Sequence, residues 1–186
     1  MPVRGAEQPS CDRRRMLAMT LGAGCGLMLA AARPAAARGA ARQLDFYSIH
    51  TGETLSATYW ANGRYLADGL REIDYVLRDF RTNEVRSIDP ELLDLLHGLR
   101  LVMDYDRPIS VISGYRCPAT NAMLAARSKQ VAKNSYHVRG MAIDIRLPGR
   151  QLASVRDNAK TLALGGVGYY PESEFVHVDT GPVRAW

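Results

Sequence analysis

The sequence predicts an α+β domain: a small, mostly antiparallel sheet with helices packed on it. Three observations predict it. A β-prone hairpin opens the domain, with Leu44–His50 and Leu55–Trp60 flanking Thr51-Gly52-Glu53. Two amphipathic stretches at helical spacing follow it. The second half then holds several short β-prone runs separated by Gly and Pro. That order, helices early and strands late, does not match the regular strand–helix alternation of a parallel α/β fold.

The elements follow in chain order. After the hairpin, Asn62-Gly63 reads as a turn. Leu66, Leu70, Ile73, Leu77 and Phe80 recur at helical spacing, which predicts one helix with its charges on the other face. Asp89-Pro90 is an N-cap with proline at the first helical position, opening a helix through Leu92, Leu95, Leu96, Leu99, Val102 and Met103. Both apolar stripes are core. Ile109–Ile112 is a short strand, Pro118–Ala126 a helix, and Met141–Ile145 a strand closed by Pro148-Gly149. Gln151–Leu164 is a further helical segment stopped by Gly165-Gly166, and Val167–Tyr170 and Phe175–Val178 are the last strands.

Ahead of the domain lies an address. Arg13-Arg14-Arg15 precede an apolar run from Leu17 to Ala32, and Ala35-Ala36-Ala37 end it. A basic start, an apolar middle and small residues at the end describe a secretory signal peptide over residues 1–37, of twin-arginine type. Its run of about 16 residues is short of the roughly 20 that a permanent span needs. Cys25 has Gly22 where a lipoprotein signal would carry an aliphatic residue. Residues 38–43 are expected to be a flexible leader and 44–186 the domain, exported to the periplasm with no permanent membrane span.

Of 186 residues, 24 are Lys or Arg and 19 Asp or Glu; without the first 37 the balance is 19 to 17. The basic pI of 9.3 therefore comes largely from the leader. No basic stripe with interleaved aromatics remains, so nucleic acid is not an expected partner. Only Cys117 of the three cysteines remains, which excludes an internal disulfide. The domain is expected to be a monomer.

The chemistry-bearing residues concentrate in the second half. Four histidines occur: His50, His97, His137 and His177. His50 sits at a hairpin end and His97 on a helix, and both are read as packing or surface residues. His137 lies in Ser135-Tyr136-His137-Val138-Arg139-Gly140-Met141-Ala142-Ile143-Asp144, where a turn at Gly140 can fold the imidazole back beside Asp144. His177 lies on a strand that can pair with the strand of Asp144. Two imidazoles and one carboxylate with a fourth position left for water is the catalytic zinc pattern, although a His and an Asp seven residues apart also occur as two ordinary strand residues. Cys117 offers a second chemistry: a thiol beside Arg116 and a Cys–His pair with His137, against a packed cysteine at a helix start.

Ser113-Gly114-Tyr115-Arg116, together with the Ser-x-His-x-x-Gly-x-Ala-x-Asp pattern of 135–144, resembles the zinc D-Ala-D-Ala carboxypeptidase and dipeptidase family. His50-Thr51-Gly52-Glu53, Leu77-Arg78-Asp79, Val131–Ser135, Gly165–Tyr170 and Phe175–Gly181 bring the likeness closer to its exported murein endopeptidase branch. The likeness runs from about residue 44 to Trp186. It implies a zinc D,D-peptidase-like fold, with one Zn2+ held by His137, Asp144 and His177, and with Arg116 holding substrate and polarising its carbonyl or carboxylate. It also implies peptidoglycan stem peptides as substrate, cut within cross-links. Trimming of a terminal D-Ala, and wall binding without cutting, are the alternatives.

The base that takes the water's proton has two candidates. Family position gives Glu174, three residues before His177. Strand alternation gives Asp179, which shares a face with His177; its alternative role is to orient that histidine. Tyr115, Tyr169 and Tyr170 are candidates for the groove wall, and equally for the core. As a structural alternative, Arg116 makes a salt bridge.

Overall fold

The computed structural model describes residues 41–128 and 130–186. The expected signal peptide, Cys25 and residues 38–40 lie outside them. Eight strands form one sheet: β1 (Arg42–Ser48), β2 (Thr54–Ala61), β3 (Arg64–Tyr65), β4 (Ile109–Ser113), β5 (Ala142–Arg146), β6 (Gly166–Tyr170), β7 (Phe175–Asp179) and β8 (Arg184–Ala185). Among the described residues four α-helices accompany it: α1 (Ala67–Val76), α2 (Pro90–Val102), α3 (Pro118–Arg127) and α4 (Leu152–Leu162). The spatial order is β3-β2-β1-β4-β5-β7-β6-β8. Only β1 with β4 and β6 with β8 pair in parallel; the other ladders are antiparallel.

The chain is therefore α+β with a mostly antiparallel sheet, as expected, though larger than expected. The two-residue strands β3 and β8 were not anticipated, because two residues carry no periodicity. The first strand also begins at Arg42, inside the stretch expected to be a leader. Arg42 is drawn in by Asp94, which accepts from its Nη1 at 2.6 Å, and by the face of Trp60.

Alternation along β1 buries Leu44 and Phe46. They meet the apolar face of α2, where Leu92, Leu93, Leu95, Leu96 and Leu99 are buried. Asp89 caps that helix, accepting from Glu91 N at 3.0 Å, which satisfies one of its free N–H groups. The same core takes Ile143 and Ile145 from β5, Val176 and Val178 from β7, and Val155 and Ala159 from α4. Burying a side chain of this size contributes roughly 1.5–3 kcal/mol before entropy is counted. β5 is buried on both faces, so its other face is free to carry the site.

The helix expected through Phe80 stops at Val76. Beyond it the chain is committed elsewhere: Leu77 O accepts from Tyr115 N at 2.8 Å, and Asp79 Oδ2 accepts from Cys117 N at 2.9 Å. Arg78 is paired with Glu53 at 2.9 Å. The Glu53 and Leu77-Arg78-Asp79 motifs thus form a brace beneath the 113–117 loop. His50 stacks on Phe80 with ring centres 4.1 Å apart, and His97 packs edge-on to Tyr59. Both are packing residues, as expected.

Candidate metal centre

His137 comes from a short 3-10 turn, Tyr136–Arg139. Ser135 starts it by accepting from His137 N, and Gly140 ends it in the left-handed region at φ 72°. A Cβ at Gly140 would lie 2.4 Å from Ser87 O, so the turn needs glycine for conformation and for space. The turn drops the imidazole onto the start of β5. Asp144 lies on β5 directly opposite His177 on β7, and partners across an antiparallel ladder share a face.

The three side chains converge. His137 Nε2 stands 3.2 Å from Asp144 Oδ1 and 3.2 Å from His177 Nδ1, and His177 Nδ1 stands 2.8 Å from the same carboxylate oxygen. Tetrahedral ligands about 2.0–2.1 Å from a zinc ion stand about 3.3 Å from one another, so the triangle has the size that such an ion needs. The outer nitrogens settle the tautomers. His137 Nδ1 donates to Gly114 O at 2.7 Å, and His177 Nε2 donates to Asp179 Oδ2 at 2.9 Å. In the neutral rings both inner nitrogens then present lone pairs, beside a carboxylate oxygen. All three residues are buried, and a buried centre built only of acceptors calls for a cation or a proton. The donor set fits zinc, and no other group of three ligating side chains close enough for a metal occurs among the described residues.

Electrostatics follow from burial and partners. Burial works to raise the Asp144 pKa, but the two imidazoles and Arg116 outweigh it and hold the carboxyl well below its ordinary range. Burial lowers the pKa of His137 despite the nearby Asp144. Burial also works to lower that of His177, but hydrogen bonds to Asp144 and Asp179 prevail and raise it. Asp179 is held below the ordinary carboxylate range by His177, Arg184 and the Gly181 amide, against the opposite pull of burial.

A groove of about 460 Å3 opens over the cluster. Arg116 lines it; its Nε donates to Ser113 Oγ at 2.7 Å and its Nη2 to Asp144 Oδ2. The structural salt bridge weighed for Arg116 is therefore present, and it also carries the guanidinium to the groove. Tyr170, Phe175 and Trp186 form an aromatic wall.

The other expected site residues fall elsewhere. Tyr115 is 2% exposed and donates its hydroxyl to Glu84: position 115 points down into the brace beneath the loop, so it is core. Tyr169 alternates to the opposite face of β6 from Tyr170 and packs against the Arg156 guanidinium, 4.5 Å from its ring centre. Glu174 sits in the tight β6–β7 turn at φ 52°, its side chain 76% exposed and 3.7 Å from Arg146; the turn carries it away from the cluster. Asp179 is fully buried, and its oxygens accept from His177, Arg184 and the Gly166 and Gly181 amides. Its oxygens are taken up by these donors, and it does not line the groove. Among the described residues lining the groove, Asp144 is the one carboxylate. Cys117 is buried; its sulfur accepts from Thr120 N and caps α3.

Sequence reasoning missed Trp186 and Arg184. Their only sequence signal was an Arg and a Trp shortly after the last ligand.

Residues 36–186 match the family model described as "Peptidoglycan L,D-endopeptidase MepK". The peptidoglycan L,D-endopeptidase MepK of Escherichia coli K12 is 43% identical over 145 residues, which span 78% of this chain and 80% of that protein. The Shigella flexneri protein of that name matches equally well. A probable peptidoglycan L,D-endopeptidase MepK of Haemophilus influenzae is 46% identical over 146 residues, 78% of each chain. A family match that takes in the whole described fold, with the Ser135–Asp144 pattern and His177 meeting at one point inside it, leads to one conclusion: the chain belongs to the peptidoglycan L,D-endopeptidase MepK family of peptidases.

Proposed function

We propose that the protein is a periplasmic zinc peptidase that hydrolyses L,D amide bonds in the stem-peptide cross-links of peptidoglycan. It would use one Zn2+ per chain, held by His137, Asp144 and His177. The observation that carries the zinc reading is the triangle of three inward acceptors whose two imidazoles are both fixed, from behind, in the ligating tautomer. Family membership supports the substrate and the reaction class.

When bound, the ion would supply a water activated at neutral pH and a Lewis acid for the amide carbonyl. The chain's own residues do the rest. Gly114 O and Asp179 Oδ2 hold the protons on His137 Nδ1 and His177 Nε2, so neither imidazole turns its N–H inward. Arg116 is held by Ser113 and Asp144, which leaves its Nη1 free of protein partners among the described residues. A guanidinium so fixed can hold a substrate carboxylate or stabilise the charge that grows on a carbonyl oxygen. Tyr170, Phe175 and Trp186 give one side of the groove an aromatic lining.

Export is supported by the arginine-led apolar leader in the sequence; no helix among the described residues is long and apolar enough to cross a membrane. The test is digestion of purified murein with and without a chelator, followed by product mass spectrometry. New muropeptides cut within cross-links, lost on chelation and restored by zinc, are expected. Unchanged profiles from a protein with zinc bound would leave only a wall-binding module. Release of single D-Ala residues would make it a carboxypeptidase.

A further inference from the structure

β8 reaches the site across another strand. It lies beside β6, where Trp186 N donates to Val167 O at 3.2 Å and Trp186 O accepts from Tyr169 N at 3.0 Å. The side chains of Arg184 and Trp186 pass over β6 to touch β7. Arg184 passes over Gly166, where a Cβ would lie 2.4 Å from its Nη1 and 2.6 Å from Asp179 Oδ2. Trp186 passes over Gly168, where a Cβ would lie 2.8 Å from its Cε2 and Cζ2. Gly168 is the ladder partner of His177. The alternate glycines of β6 are thus the passage through which β8 reaches the ligand strand.

What crosses is organised. Arg184 grips both oxygens of Asp179, Nη1 to Oδ1 at 3.0 Å and Nη2 to Oδ2 at 2.7 Å. Asp179 in turn accepts from His177 Nε2. The Trp186 indole lies 5.4 Å, centre to centre, from the His177 ring. It is fixed by Nε1 donating to the Tyr170 hydroxyl at 2.8 Å and by the Arg184 guanidinium 4.8 Å over its face.

We propose that Arg184 and Trp186 are positioning residues that hold the His177 ring with Nδ1 on the metal position. Arg184 acts through Asp179 and Trp186 by contact. The inference rests on the zinc reading above and deepens it. An imidazole turns over a broad χ2 range unless its far nitrogen is held. Asp179 can hold it only if its own plane is fixed, and the two-point grip of a planar guanidinium does that. Trp186 lies against the His177 ring where both line the groove.

The experiment measures zinc affinity by competition with a chromophoric chelator, and the melting of the metal-free proteins, for the unaltered chain, Arg184→Gln, Arg184→Lys, Trp186→Ala and Trp186→Phe. Loss of the grip in Arg184→Gln is expected to weaken zinc binding about 10- to 100-fold. Arg184→Lys recovers part of it, because an ammonium meets the carboxylate at one point. Trp186→Ala weakens binding less, and Trp186→Phe less still.

A purely structural edge strand would instead lower the melting temperature of the metal-free forms and leave zinc affinity intact. Folded Arg184→Gln and Trp186→Ala proteins that bind zinc as tightly as the unaltered chain would overturn the proposal. Should either fail to fold, Arg184→Lys and Trp186→Phe decide by the same comparison. If the unaltered chain binds no zinc, the metal reading itself falls and the positioning role with it; if it binds zinc and every folded variant matches it, only the positioning role falls.

Discussion

Replacing Asp144 by Asn separates the metal ligand from the salt-bridge partner more cleanly than any deletion. The side chain is 4% exposed, with Oδ2 receiving Arg116 and Oδ1 facing two imidazole lone pairs. An Asn of the same shape must keep its oxygen toward Arg116, because an amide NH2 there would meet a donor. Its NH2 then points at His137 Nε2 and His177 Nδ1, and offers each lone pair a hydrogen. The centre is satisfied with no ion in it.

A zinc site of four ligands is worth about 10–16 kcal/mol, so one ligand accounts for about 2.5–4 kcal/mol, or about two to three orders of magnitude in affinity. Against this, the Arg116 bond weakens by about 1 kcal/mol on losing the acceptor's charge, and the centre no longer packs acceptor against acceptor. Metal-free Asp144→Asn should therefore melt within about 2–4 °C of the unaltered metal-free protein. Chelator competition reads the first quantity and a thermal melt the second. Unaltered zinc affinity would refute the ligand role. A metal-free melt lower by about 10 °C or more, a loss of several kcal/mol, would show that Asp144 chiefly anchors Arg116.

Further outcomes follow from the same geometry. Glu174→Gln should leave the rate of murein digestion essentially unchanged, since the side chain is exposed on the turn; a fall of about 100-fold, the scale of a lost general base, would restore its role. Cys117→Ser should stay folded and active and resist thiol-blocking reagents, because serine is a good N-cap at the position where the sulfur now accepts from Thr120 N; loss of hydrolysis with zinc still bound would revive thiol catalysis. Gly140→Ala should cost about 2–5 kcal/mol, from the left-handed conformation and the collision with Ser87 O at 2.4 Å, and should weaken zinc binding, because the turn it ends carries His137. A melt and a zinc titration check both. Leu96→Ala, in the core between α2 and the sheet, should cost about 2–5 kcal/mol in denaturant unfolding and leave zinc affinity unchanged.

The convergence of His137, Asp144 and His177 was legible because it rests on one local turn and one strand pairing. Gly140 returns the chain within seven residues, and the Ile143–Ile145 and Val176–Val178 alternation puts Asp144 and His177 on the face opposite the core. The α2 helix was legible from its cap and its stripe. What stayed hidden depends on partners far along the chain. Leu77 continues the apolar spacing of α1, yet its carbonyl is claimed by Tyr115 N, and no periodicity reports that competition. Glu174 and Asp179 were weighed by strand alternation and family position. The turn at positive φ carries the Glu174 side chain to the surface, and Arg184, a residue the motifs did not include, pairs with Asp179. Tyr115 was open between groove and core, and its burial against Glu84 beneath the 113–117 loop gives the second.

The pairing of Asp144 with His177 across β5 and β7 has a consequence for how the protein matures. A slip of one residue between these strands would send Ile143 or Val178 to the metal face and a ligand into the apolar layer. An ion bound at this triangle would be gripped only when β5 and β7 are in step, so its capture would favour the correct alignment and penalise its neighbours, proofreading the assembly of two strands that lie far apart along the chain.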